Sequence, residues 1–226
     1  MKRWLFLLAM LLWTSGVEAK SRFQFAVPAG WVDLSRDAPP SNFESAPPAV
    51  LEVAHSPQIE FYATDLHPST DGILSNMNAV IEPSGGPIDE ALIQKLAEGL
   101  DADVKSKDPS FSYKPIDRRL IQIQGLTAGR ISGEFTLGTV KVRQLMIVVP
   151  GGTERAIVTY SASPLLFPEL EPLFDKNAAA IQGLAAPVLP AQKIAEKGLS
   201  GALVGAVLGA LAALIAGGIA WARRRR

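Results

Sequence analysis

The sequence contains no cysteine among its 226 residues. This absence excludes disulfide bonds, thiolate metal sites and cysteine nucleophiles, so a folded domain has to be stabilised by its hydrophobic core alone. Histidine is scarce as well, with only His55 and His67 in the chain. Because a zinc site needs three or four protein ligands, we predict neither a metal nor a cofactor.

The chain also lacks an excess of positive charge, since its 22 Lys and Arg balance its 22 Asp and Glu. Residues 20–198 alone carry 16 Lys and Arg against 21 Asp and Glu, a net charge of −5. Nucleic-acid phosphates require a basic protein face. We therefore predict that the protein binds no nucleic acid.

Long apolar runs are missing from the middle of the chain and occur only near its two ends. Residues 4–13 are apolar and follow two basic residues. Ten apolar residues are too few to span a bilayer, so they predict a secretory signal peptide over residues 1–19, cleaved between Ala19 and Lys20. An uncleaved N-terminal anchor is the alternative.

The second apolar run, residues 199–222, has no charged side chain. A helix of this length is about 36 Å long and crosses the roughly 30 Å hydrocarbon core, so the run predicts a single transmembrane helix. The positive-inside rule keeps the basic tail in the cytoplasm, which places the main domain on the periplasmic or extracellular side of the cytoplasmic membrane. The tail consists of Arg223, Arg224, Arg225 and Arg226.

One face of this predicted helix carries small residues at four-residue spacing. Small residues allow close backbone approach in lipid, so this ridge predicts packing against a second copy or another subunit. Gly and Ala are also common in membrane helices, and an ordinary lipid-facing helix is the alternative. The ridge consists of Gly201, Gly205, Gly209, Ala213 and Gly217.

The tail also has the layout of a bacterial sorting signal, which is cut off together with its apolar segment. Residues 189–193 begin like a sortase site but lack the Thr and Gly expected at its fourth and fifth positions. A retained span and a processed sorting signal therefore both stay open.

Residues 20–184 have the pattern of one α+β domain, followed by a short linker over 185–198. The alternation of Phe23–Val27 predicts a half-buried strand. Four prolines predict an exposed loop over 37–48, in which Phe43 is a candidate contact residue. Further strands are predicted over 49–54, 59–66, 73–81, 120–124, 128–137 and 140–149, with a hairpin that joins 145–149 to 156–160.

Two amphipathic helices complete the predicted domain. Pro87 and Pro109 delimit the first, and the second runs from Phe167 to Gln182 with Gly183 at its end. Short connections imply antiparallel strand pairing, so we predict an antiparallel sheet layered with helices. The apolar stripe of the first helix comprises Ile88, Leu92, Leu96, Leu100 and Val104.

Three segments of this domain resemble the PsbP-like family, which includes DcrB-type envelope proteins and Mog-type Ran-binding proteins. They are Phe25-Ala26-Val27-Pro28-Ala29-Gly30-Trp31, Ile157-Val158-Thr159-Tyr160-Ser161-Ala162-Ser163, and the closing helix with Phe167, Phe174 and Ile181. The resemblance covers about residues 22–184 and implies an antiparallel sheet between helices and a non-enzymatic accessory or binding module. No metal ligand or partner-contact residue of the family maps onto this sequence. The predicted C-terminal span departs from the many family members that are soluble or carry an N-terminal lipid.

Candidate catalytic and metal-binding residues are few. His67 lies near Asp65 and Asp71, but their spacing matches no recognised zinc pattern and favours a solvated turn. Ser161 and Ser163 lack the Gly-x-Ser-x-Gly elbow of a serine hydrolase. We therefore predict no catalytic residue.

Two further features are interpreted as ordinary surface structure. The Gly85-Gly86 and Gly151-Gly152 pairs lack the spacing and lysine of a phosphate-binding loop and are predicted turns. Arg118-Arg119 is predicted to be a solvated pair, with a site for an anionic partner as the alternative.

The sequence thus predicts a membrane-anchored extracytoplasmic binding or assembly-accessory module without catalytic activity. The first alternative is an oligomerising subunit of a membrane complex that works through its glycine-rich helix. The second is an envelope enzyme of unknown reaction.

The glycine ridge generates the first testable prediction. The double substitution Gly205→Ile and Gly209→Ile should reduce association of the predicted span in membranes, because the larger side chains hold the backbones apart. Val207→Ile, which lies off the ridge, is the matched control. Self-association measured in a membrane reporter assay should fall for the first variant only, and unchanged association would contradict the hypothesis.

Overall fold

A computed structural model describes residues 22–83, 86–107 and 109–188. The predicted signal peptide with its Ala19–Lys20 cleavage site, the predicted span, its glycine ridge and the arginine tail all lie outside these residues and stay predictions. No helix within the described ranges is long and apolar enough to span a membrane.

In this part of the chain seven strands form one antiparallel sheet in the order β1-β2-β3-β7-β6-β5-β4. Strands that follow one another in the sequence pair antiparallel on each side of a central contact between β3 and β7. The predicted antiparallel α+β architecture is therefore confirmed. The strands are β1 Val32–Asp33, β2 Phe61–Thr64, β3 Asn76–Pro83, β4 Phe111–Ile123, β5 Leu126–Leu137, β6 Val140–Pro150 and β7 Glu154–Ala162.

Helices cover both faces of the sheet. The described residues form α1 Pro48–Ala54, α2 Glu90–Lys107 and α3 Phe167–Ala179, with a short 3₁₀ helix over Pro40–Phe43. The hydrophobic cluster on one face includes residues of α1 and α2, and the cluster on the other face includes residues of α3. A helix–sheet–helix sandwich with a core on each side of the sheet results.

The predicted α2 is confirmed. Ile88, Leu96, Leu100 and Val104 are buried along its predicted stripe, and Leu92 is half-buried. The helix itself begins at Glu90, three residues after Pro87.

The strand predicted over 49–54 is wrong, because these residues form α1. Pro48 occupies the first turn of this helix, where its missing N–H costs no hydrogen bond. Val50 and Ala54 are the buried residues, four positions apart as on a helix face. The predicted loop over 37–48 is also shorter than expected, because it contains the 3₁₀ helix and the start of α1.

The predicted strand Phe23–Val27 is not part of the sheet. Its only bridge pairs Gln24 with Gln182, and Val27 is 38% exposed. Phe23 is nevertheless buried, and the ring of Phe25 lies 5.3 Å from that of Phe61. Aromatic packing therefore holds this extended segment against the core.

β4 begins at Phe111, well before the strand predicted over 120–124. Its middle contains Pro115 and the exposed charged residues Lys114, Arg118 and Arg119, which resemble a loop in sequence. An edge strand tolerates such residues because one side of its backbone needs no partner strand.

The two ends of the described domain meet at the turn between β6 and β7. Gln24 and Gln182 exchange backbone hydrogen bonds of 3.3 and 3.1 Å, and Arg22 Nη1 donates to the Gly151 carbonyl at 2.9 Å. The Val188 N–H donates to the Gly152 carbonyl at 3.0 Å, so these contacts continue into the predicted linker. We call this junction the terminal pole.

Gly183 makes the terminal pole sterically feasible. The prediction that Gly183 ends α3 is wrong, because the helix stops at Ala179 and its C-cap is Ala180. Gly183 instead has φ +83°, and a Cβ there would collide with the carbonyl oxygen of Arg22.

We therefore predict that Gly183→Ala lowers the free energy of unfolding by about 3 kcal/mol, from the left-handed backbone and the collision together. Gly138→Ala is the control, since Gly138 has φ +58° but open space around it. It should lose only about 1 kcal/mol. Urea unfolding of both variants checks this prediction, and equal losses would contradict it.

Candidate functional site

The structure separates most of the side chains that the sequence suggested for chemistry. His67 is exposed, and its Nδ1 lies 2.9 Å from Asp65 Oδ1. The ring of His55 packs edge-on against that of Phe43, with centroids 5.1 Å apart. Within the described ranges no three His, Asp or Glu side chains are placed to hold a metal ion together.

Asp71 and Ser163 hold a loop in place. Ser163 Oγ donates to Asp71 Oδ2 at 2.5 Å, and Ser69 Oγ donates to the other carboxylate oxygen. These contacts connect residues 65–75, which join β2 to β3, with the segment just before the N-terminus of α3. Ser161 Oγ accepts a hydrogen bond from Gln144 Nε2 at 2.9 Å. No hydrogen bond in the described part of the chain joins either serine to a histidine.

The candidate contact residues occupy different surroundings. Phe43 is half-buried and packs against the cluster under α1 and α2. Arg119 Nη1 contacts Asp117 Oδ2 at 2.7 Å, whereas Arg118 is exposed on the edge strand. The two arginines therefore form no joint cationic site.

The most unusual feature is a row of buried polar side chains on the α2 face of the sheet. The register places Asn78 opposite Thr159 and Asn76 opposite Ser161, while Ser161 also lies opposite Gln144. All of them are at most 2% exposed. We call Asn76, Asn78, Gln144, Thr159 and Ser161 the amide row.

Hydrogen bonding within the amide row is incomplete. Only the bond from Gln144 to Ser161 joins two of its members. Both amide atoms of Asn76, both of Asn78 and Oε1 of Gln144 are buried without a partner among the described residues. Buried polar groups in native proteins are nearly always hydrogen-bonded, so these five atoms need an explanation.

The energy at stake is large. A buried donor or acceptor that stays unpaired costs about 1–3 kcal/mol, and whole domains are stable by only about 5–15 kcal/mol. Five unpaired atoms would therefore use up much of the stability of the domain. The folded protein is therefore expected to satisfy these atoms with water or with another bound hydrogen-bonding molecule.

The buried guanidinium of Arg130 is paired, in contrast to the amide row. Nε of Arg143, whose guanidinium lies 5.6 Å from the centre of the Phe167 ring, is another buried atom without a hydrogen-bond partner among the described residues. Arg130 on β5 contacts Glu171 and Asp175 of α3 at 2.5 and 3.3 Å, and Asp117 at 3.5 Å. Burial disfavours the charged guanidinium, but the hydrogen bonds that it donates to Glu171 and Asp175, together with their negative charges, outweigh burial and raise the pKa of Arg130. This cluster connects α3 to the sheet. Its arginine is paired with carboxylates, so it gives no indication of a ligand.

Sequence analysis missed the amide row. Its only local signal is Asn76 and Asn78 at strand spacing within Asn-Met-Asn-Ala-Val-Ile. Asparagine is depleted in strands, so two asparagines on one face of a strand are an available warning. The partners Gln144 and Ser161 come from distant parts of the chain.

Comparisons with known proteins define the fold. No family's sequence profile matches the chain, and no curated protein matches it. Among solved structures, 26 chains match, including the cyanobacterial PsbP protein CyanoP from Synechocystis sp. PCC 6803. It is 14% identical, covers 72% of this chain and 87% of its own length, and superimposes with a TM-score of 0.52.

LpqN, which is involved in cell envelope biogenesis of Mycobacterium tuberculosis, matches with a TM-score of 0.43 and 16% identity. That match covers 70% of this chain and 81% of LpqN. The similarity to CyanoP shows a PsbP-like fold, which confirms the fold predicted from residues 22–184.

The unpaired state of Asn78 generates a stability prediction with a matched control. Asn78→Leu should leave the free energy of unfolding unchanged or raise it, because it removes a buried amide that has no protein partner. Asn177 is also buried, but it accepts from Tyr160 Oη and donates to the Ala26 carbonyl, both at 2.7 Å.

Asn177→Leu should therefore lower the free energy of unfolding by about 2–3 kcal/mol, since it leaves the Tyr160 hydroxyl and the Ala26 carbonyl without their hydrogen-bond partner. Urea unfolding of the two variants in one buffer makes the comparison. A loss at Asn78 as large as that at Asn177 would contradict the assignment of Asn78 as unpaired by protein groups.

Proposed function

We propose that this protein is a non-catalytic binding or assembly-accessory module held on the outer side of the cytoplasmic membrane. The PsbP-like fold, the predicted signal peptide and the predicted span over 199–222 support this proposal together. The observation that carries it is the terminal pole, where both ends of the folded domain leave from one place.

The terminal pole suits a domain that stands on a membrane. Val188 is bonded there, and residues 189–198 reach at most about 35 Å before the predicted span begins. The opposite end of the sheet, which we call the far pole, carries the connectors 65–75, 138–139 and 163–166. β7 alone, with nine residues, separates the two poles by about 30 Å.

The far pole is the surface that the proposal assigns to partners. It is free of both chain ends of the described domain, and Leu165 there is 70% exposed. Its loops are carried by a rigid sheet, which is the usual arrangement of binding loops. The oligomerising alternative requires the glycine ridge and is tested separately by the isoleucine variants.

The absence of cysteine makes a direct test of this orientation simple. Thr153→Cys at the terminal pole and Leu165→Cys at the far pole each introduce a single thiol at an exposed residue. A membrane-impermeant maleimide should label both in intact spheroplasts. A donor dye is then attached to each thiol, and the vesicles carry an acceptor dye on the lipid headgroups. Energy transfer to the acceptor should be stronger from a donor at position 153 than from one at position 165.

The two readouts separate the parts of the proposal. Protection of both thiols from the maleimide would overturn the extracytoplasmic location. Failure of the protein to float with vesicles would overturn the anchor. Equal or stronger transfer from position 165 in floating protein would overturn the orientation alone.

A further inference from the structure

The amide row lies toward the far pole of the sheet. Asn76 is the first residue of β3, and Ser161 is next to the last residue of β7. The connector 65–75 lies at the far pole, and its buried residues Ile73 and Leu74 belong to the hydrophobic cluster on the same face. Thr64 Oγ1 donates to the Ser75 carbonyl at 2.9 Å, which fixes the connector directly beside Asn76.

The charged side chains that β3, β6 and β7 place on the face of the row form one ion pair, and Asp71 in the connector accepts hydrogen bonds from Ser69 and Ser163. Glu82 and Arg155 lie further along the same face, but they pair with each other at 2.9 Å. Tyr62 lies opposite Asn78, and burial raises the pKa of its phenol above the ordinary value, so the phenol stays uncharged at physiological pH. An ion would have to shed its hydration shell here without a counter-charge.

The unpaired atoms are both donors and acceptors. Each asparagine amide offers N–H groups and a carbonyl oxygen, and Oε1 of Gln144 accepts only. A ligand that pairs with this set therefore has to accept and donate at once. Metal ions only accept electron pairs and carboxylates only accept hydrogen bonds, so neither class matches the row.

We propose that the amide row binds a small neutral molecule carrying an amide or a comparable donor–acceptor group, beneath the connector 65–75. The proposal rests on the binding-module part of the proposed function and not on the membrane anchor. A result on membrane orientation therefore cannot decide it.

The test uses acetamide and acetate, two probes of similar shape that differ in charge. Side-chain amide signals of Asn76 and Asn78 in the full-length protein are assigned from the spectra of Asn76→Leu and Asn78→Leu. Acetamide should shift these NMR signals with saturation, and acetate should not. The exposed side chain of Gln122, which bonds Thr127, provides an internal control signal that should stay in place.

Gln144→Leu supplies a second variant if an asparagine variant does not fold. It should weaken acetamide binding severalfold, because it removes one unpaired acceptor of the row. Absence of a saturable shift with acetamide would overturn the proposal and leave water as the occupant of the row. Equal shifts with acetate would overturn the claim of neutrality.

Discussion

The pairing of β3 with β7 is the contact on which the rest of the structure depends. It joins the β1-β2-β3 half of the sheet to the β4-β5-β6-β7 half, which are otherwise separate antiparallel ribbons. Eight residue pairs form this contact. It includes a partly buried ion pair between Glu82 and Arg155, which are 73 positions apart in sequence. A slip of one residue would turn every side chain of β3 to the opposite face and expose both hydrophobic clusters.

This one contact also creates the unusual chemistry of the domain. Asn76 and Asn78 meet Ser161 and Thr159 only because β3 and β7 pair in this register. Through β6 the row then extends to Gln144. A central strand would normally carry apolar side chains on a face covered by helices, so the polar residues here oppose local stability. Proteins tolerate such conflicts mainly where a function requires them, and this is the physical reason for treating the row as a binding site.

Elements that are determined by neighbouring residues were predictable from the sequence. Elements that are determined by contacts between residues far apart in the chain were not. The four-residue stripe of α2 and the turn between β6 and β7 depend on neighbouring residues, and both are confirmed. The strand prediction for residues 49–54 is wrong because a short apolar run has no clear period, although the proline pair before it favours a helix start. The true role of Gly183 depends on Arg22, at the other end of the domain, and no local pattern reveals it. The amide row requires three strands to be aligned, so the sequence alone could only flag its two asparagines.

Electron density at the amide row tests the central claim of this account most directly. A high-resolution crystal structure of the protein, purified without unfolding, should show Asn76 and Asn78 in the conformations described, with extended density of a bound molecule between their amides and Gln144. Density that shows the three amides hydrogen-bonded to other side chains, or only isolated water peaks beside them, would contradict it.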